Sequence, residues 1–152
     1  AMSAPLIFIT GATGFIGSAT AVEALKAGYR LRIGIRKKSD KLESILSDHG
    51  ERVEFVTIPD LAQEAALRGK LDGVDYILHL ASPLAQGTDK EAFFGPAVNG
   101  TLAVLREAAK VPSIKKVVVT SSIASLIPLI GVPSGGVIRG RFNAHGGRMP
   151  LL

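Results

Sequence analysis

The sequence contains no cysteine and no tryptophan, and aromatic residues make up only 5% of it. Without cysteine there are no disulfides and no thiolate metal sites, which agrees with a reducing compartment without demanding one. Tyr29 and Tyr76 are its two tyrosines, lysine does not recur after Lys116, and no acidic residue follows Glu107. No run approaches the ~20 apolar residues that a membrane-spanning helix needs. The first residues lack a basic segment followed by an apolar one, so neither a secretory signal nor a membrane partner is expected, and the expected location is cytoplasmic.

What is there is enough for one globular domain. The chain has 152 residues, 47% of them apolar and 20% charged, which allows a real core but not two domains of ordinary size. The net charge of +5 invites a nucleic-acid reading, but its distribution argues against one. Residues 1–107 carry 12 Lys+Arg against 13 Asp+Glu, whereas residues 108–152 carry 6 basic residues and no acidic one. Those six are scattered without interleaved aromatics, as in a solvated basic tail, so no nucleic-acid partner is expected.

Apolar runs alternate with helical segments along most of the chain. Strands are expected at 6–10, 31–35, 53–58, 76–80 and 117–120. Helices are expected at 15–27 (closed by Gly28), from Ser39 or Asp40 to about 48, around 61–67, and at about 89–110, ended by Pro112. Strands that are apolar throughout and separated by helices form a parallel sheet covered on both faces. Right-handed crossovers then favour an α/β doubly wound sheet of the Rossmann type, five strands in the order 3-2-1-4-5. Its ligand crevice lies at the carboxyl ends of strands 1 and 4. The dinucleotide-binding domain is expected over residues 1–125, and residues 126–152 read as an irregular, apolar and Gly-rich tail.

Chemistry enters at the first turn. Leu6–Thr10 runs into Gly11-Ala12-Thr13-Gly14-Phe15-Ile16-Gly17 and then a helix. Glycines at 11, 14 and 17 let backbone N–H groups approach a pyrophosphate at the positive helix end. The plain alternative is that they serve only a tight turn and close packing. At the end of the second strand an NAD enzyme usually offers a carboxylate to the ribose 2′-hydroxyl. Here that end reads Gly34-Ile35-Arg36-Lys37-Lys38, with no acid until Asp40. A carboxylate repels a 2′-phosphate, and a guanidinium binds it bidentately, so NADP is the expected cofactor. His79 reads as a satisfied core histidine rather than a base, and no metal site is expected. Phe94, Val98, Leu102 (or Thr101), Leu105 and Ala109 line one face of the long helix and are expected to pack into the core.

Five ordered segments make the pattern more specific. Thr10-Gly11-Ala12-Thr13-Gly14-Phe15-Ile16-Gly17, Asp60-Leu61, His79-Leu80-Ala81-Ser82-Pro83, Pro96-Ala97-Val98-Asn99-Gly100-Thr101 and Val119-Thr120-Ser121-Ser122 together resemble the extended short-chain dehydrogenase/reductase family. This is the NAD-dependent epimerase/dehydratase type, and the branch resembled holds dihydroflavonol reductases and fungal aldehyde/ketone reductases. The resemblance covers about residues 5–125. It implies cofactor contacts at Gly11, Thr13, Gly14, Phe15, Ile16, Gly17, Asp60, Leu61, Ala81, Ser82, Pro83, Thr120 and Ser121; Arg36 and Lys37 join them on the charge argument alone, the plain alternative being a solvated loop before the next helix. It implies Ser122 as a catalytic residue, hydrogen-bonding the carbonyl of a small-molecule substrate as hydride arrives. It also implies a homo-oligomer, because the long helix joins a dimer-forming bundle.

The sequence departs from that family in one decisive respect. The family's proton donor is the tyrosine of a YxxxK pair beyond the serine, with the lysine depressing the tyrosine's pKa. Both tyrosines here precede Ser122, and no YxxxK occurs. From Gly140 onward nothing resembles the family. A shifted frame, a retained intron or a truncation each gives such an ending, and the sequence does not choose among them. Two readings stand: the cofactor half of an NADP-dependent carbonyl reductase, with little or no turnover by itself, or a cofactor-binding pseudoenzyme or regulatory short form.

Overall fold

The computed structural model describes residues 3–83 and 90–122, with the side chains of 90–93 left aside. Five parallel strands form one sheet in the order β3-β2-β1-β4-β5: β1 (Leu6–Thr10), β2 (Arg30–Ile35), β3 (Val53–Thr57), β4 (Tyr76–His79) and β5 (Lys116–Val119). The expected doubly wound topology is therefore the one observed. Register is set from the centre outward: β1 pairs with β2 through Phe8 opposite Arg32 and with β4 through Phe8 opposite Ile77. The sheet and its helices lie in one compact unit that ends at Thr120, and Ser121 and Ser122 belong to a separate one.

The strands bury both faces, as a parallel sheet must. Ile7, Ile9, Leu31, Ile33 and Ile35 point to one side and pack with Ala21 and Leu25 of α1 (Phe15–Lys26) and Leu42 and Leu46 of α2 (Asp40–Leu46). Leu6, Phe8 and Ile77 point to the other. There they meet Leu67 of α3 (Glu64–Leu67) and Ala103, Val104 and Ala108 of α4 (Lys90–Ala108).

Local signals account for most boundaries. Gly28 adopts φ +90° just past α1, where its amide and that of Tyr29 close the last turn on Leu25 and Ala24 carbonyls, a C-terminal cap that favours glycine. Ser39 caps α2, its Oγ accepting from the Leu42 amide. The helix expected to run on to about residue 48 instead tightens into a 3-10 segment over Ser47–Arg52.

The core-facing side of α4 differs from expectation. Phe94, Val98, Leu102 and Leu105 are exposed, at 55%, 36%, 37% and 38%. The buried face is Gly100, Ala103, Val104, Glu107 and Ala108. Small side chains bring the helix axis close to the sheet, so the bulkier stripe is turned away. Glu107 is tolerated there because Lys110 pairs with it at 2.9 Å.

Candidate functional site

The crevice forms where the strand order reverses, at the carboxyl ends of β1 and β4. Gly11 follows Thr10 directly and has φ +78°, a conformation that glycine adopts without penalty. A Cβ there would lie 2.5 Å from the Ala81 nitrogen and 2.8 Å from Ala81 Cα. The first loop thus touches the loop after β4 backbone to backbone. A Cβ on Gly17 would meet the Gly11 carbonyl, with its carbon only 2.7 Å away. The turn is closed by the Gly14 amide donating to the Gly11 carbonyl at 3.1 Å.

Gly14 is the N-cap of α1, no side chain caps the helix, and no acidic residue lies in its first turn. Thr13, Gly14, Phe15 and Ile16 are all exposed, Phe15 at 94%. The positive end of α1 is therefore open to an anion lying over the turn.

A buried polar chain joins the two loops. The Thr10 hydroxyl lies 2.8 Å from His79 Nδ1 and accepts the Ala81 amide at 3.2 Å. His79 Nε2 lies 3.5 Å from the hydroxyl of Thr101 on α4, which donates to the Ala97 carbonyl at 3.1 Å. Thr10 is wholly buried and His79 is 3% exposed, and burial pushes the imidazole below its usual pKa range. His79 is the satisfied core histidine anticipated from sequence. Its partners were not anticipated, although Thr10 and Thr101 both stand inside the motifs that suggested the site.

At the end of β2, Arg36 and Lys37 are exposed. Lys38 is engaged by Asp40 at 3.4 Å and Glu43 at 3.5 Å, and Glu43, then Asp40, hold its ammonium above the usual range. Among the described residues no carboxylate pairs with Arg36 or Lys37, so two of the three cations at this strand end are left for another partner. Asp60 is exposed after β3, and its Oδ1 accepts the Ala62 amide at 2.9 Å. The N-cap of α3 is Gln63, so Asp60 caps a turn ahead of the helix rather than the helix itself. Leu61 is partly buried against the α4-side core.

Past β4, Ala81 is half-buried and Ser82 and Pro83 are exposed. Past β5, the Thr120 amide extends the ladder to the His79 carbonyl at 3.0 Å, and Ser121 and Ser122 follow it in the chain. The glycine turn, the β4 exit and Thr120 are thus brought to one sheet end. An open groove of about 320 Å³ lies elsewhere, along α1, lined by Phe15, Ser18, Ala19, Val22, Glu23 and Ile45; it lacks the converging polar groups of the crevice. Among the described residues no group of His, Asp and Glu could hold a metal, and no helix is long and apolar enough to cross a membrane.

Residues 7–129 match the NAD dependent epimerase/dehydratase family. The chain belongs to that family. Ketoreductase sphI of Aspergillus fumigatus is 67% identical over 138 residues, which are 91% of this chain and 41% of that protein. Aldehyde reductase 2 of Sporidiobolus salmonicolor is 32% identical over 128 residues, 81% of this chain and 37% of that one. Yeast methylglyoxal/isovaleraldehyde reductase Gre2, solved with NADPH, superposes with a TM-score of 0.71 at 28% identity, covering 82% of this chain and 39% of its own. This epimerase/dehydratase-family chain thus spans about two fifths of the length of the relatives it matches.

Proposed function

We propose that this chain is the NADP(H)-binding part of a carbonyl reductase acting on a small aldehyde or ketone. The observation that carries the cofactor reading is the end of β2, where Arg36 and Lys37 stand exposed with no carboxylate partner among the described residues while Lys38 is paired with Asp40 and Glu43. The fit of a dinucleotide is supported by a turn whose Gly11 and Gly17 have no room for a side chain. In this reading the backbone at Gly11, Thr13, Gly14, Phe15, Ile16 and Gly17 holds the pyrophosphate. Arg36 and Lys37 bind the 2′-phosphate, and Asp60 and Leu61 border the adenine. Ala81, Ser82, Pro83, Thr120 and Ser121 flank the nicotinamide, and the Ser122 hydroxyl donates to the substrate carbonyl.

When bound, the reduced cofactor supplies a hydride to the carbonyl carbon. The oxygen then needs a proton, and the chain holds no tyrosine after Tyr76 to give it. Loss of a positioned acid costs about 10²–10⁴-fold, so this chain alone turns over little or nothing. The second reading is a cofactor-binding module without redox activity of its own. A turnover screen with NADPH and simple aldehydes and ketones separates the two.

The cofactor assignment is tested by Arg36→Asp. A charged hydrogen bond contributes about 1.5–3 kcal/mol, so the swap should turn a preference for NADPH into one for NADH. An unchanged ratio of the two affinities would remove Arg36 from the site.

A further inference from the structure

The four polar groups around His79 admit one consistent proton order. Thr10 Oγ1 already accepts the Ala81 amide, and it lies 2.8 Å from His79 Nδ1, the acceptor within reach of its own proton. Nδ1 must then be the bare, accepting nitrogen, which places the ring proton on Nε2. Nε2 faces Thr101 Oγ1, whose proton is committed to the Ala97 carbonyl. The opposite tautomer would direct two donors at Thr10 and leave its hydroxyl proton without an acceptor in a wholly buried place.

We infer that His79 is a positioning residue, held as the neutral Nε2–H tautomer. By accepting the Thr10 proton it orients the hydroxyl to receive the Ala81 amide, and so fixes the β4 exit loop against Gly11. The imidazole thereby sets the contact between the two loops. Among the described residues no charged neighbour acts on it. β1 presents Thr10, α4 presents Thr101, Val119 is its register partner on β5, and burial is the cause of its lowered basicity. The consequence for ligand binding rests on the cofactor reading above; the tautomer and the loop contact do not.

The experiment is nitrogen-detected NMR of the ¹⁵N-histidine-labelled chain without cofactor at neutral pH, with His79 assigned by its loss in His79→Asn. The expected spectrum shows Nδ1 unprotonated and Nε2 protonated. An Nδ1–H tautomer, a mixture of the two or a charged ring overturns the inference. Amide hydrogen exchange at Ala81 is the second readout. His79→Leu removes the acceptor and should speed exchange at Ala81 by roughly two- to tenfold, the value of one hydrogen bond. His79→Asn keeps an acceptor near the Nδ1 position and should restore protection. Equal exchange in wild type and both variants would mean that the ring only fills space. If His79→Leu does not fold, the tautomer measurement on the wild-type chain decides. Absence of NADPH binding by a chain showing the expected tautomer and exchange would count against the cofactor reading alone.

Discussion

Gly17 lies so close to Gly11 that a Cβ on it would be 2.7 Å from the Gly11 carbonyl carbon and 2.8 Å from Ala12 Cα. Both neighbours are backbone, which cannot swing aside as a side chain can. Gly17→Ala must therefore push α1 away from the turn, at a cost of about 1–3 kcal/mol. The displaced helix end should also weaken NADPH binding in calorimetry. Gly14→Ala is the control, because its Cβ would meet only the Gly11 carbonyl oxygen, at 3.4 Å. That variant should stay close to wild type in melting temperature.

Burial of His79 gives the fold a pH dependence of defined sign. The imidazole pKa is lowered from 6.5 by desolvation, so at mildly acid pH the unfolded chain binds a proton that the folded chain refuses. Stability from this residue is full above pH 6.5 and is lost as pH falls from there toward the lowered folded value. Denaturant titrations of wild type and His79→Asn at several pH values below 7 check this. The wild-type slope should be steeper, and parallel curves would contradict it.

The apolar stripe on α4 bears on assembly. Phe94, Val98, Leu102 and Leu105 are exposed along one side of that helix, and β5 ends the sheet order with Val118 and Val119 also exposed. A second copy laid against the same stripe would cover apolar surface at roughly 25 cal/mol per Å² without any new strand register. We expect light scattering to give a dimer or larger species, and Leu102→Glu to shift it toward monomer. A monodisperse mass near 15.9 kDa across a wide concentration range would contradict this.

The strand order and the glycine turn were legible because their signals are local. Apolar runs such as Leu6–Ile9 have no polar alternation, and glycine spacing at 11, 14 and 17 leaves few backbones to choose from. The orientation of α4 was not legible. Two stripes on that helix have helical spacing, and the expectation took the one of Phe94, Val98, Leu102 and Leu105 as the core face. The buried residues are Gly100, Ala103, Val104 and Ala108, whose smallness matters only once the distance to the sheet is known. The link from His79 to Thr10 and Thr101 is likewise tertiary, since 69 residues separate Thr10 from His79. The expected tail at 126–152 lies outside the described residues.

The central claim is that the crevice over β1 and β4 binds NADP(H) through the glycine turn and Arg36. Calorimetric titration of the wild-type chain with NADPH and NADH under the same conditions tests it most directly. Tighter binding of NADPH is predicted, at one site per chain. Equal affinity for the two, or binding of neither, would contradict it.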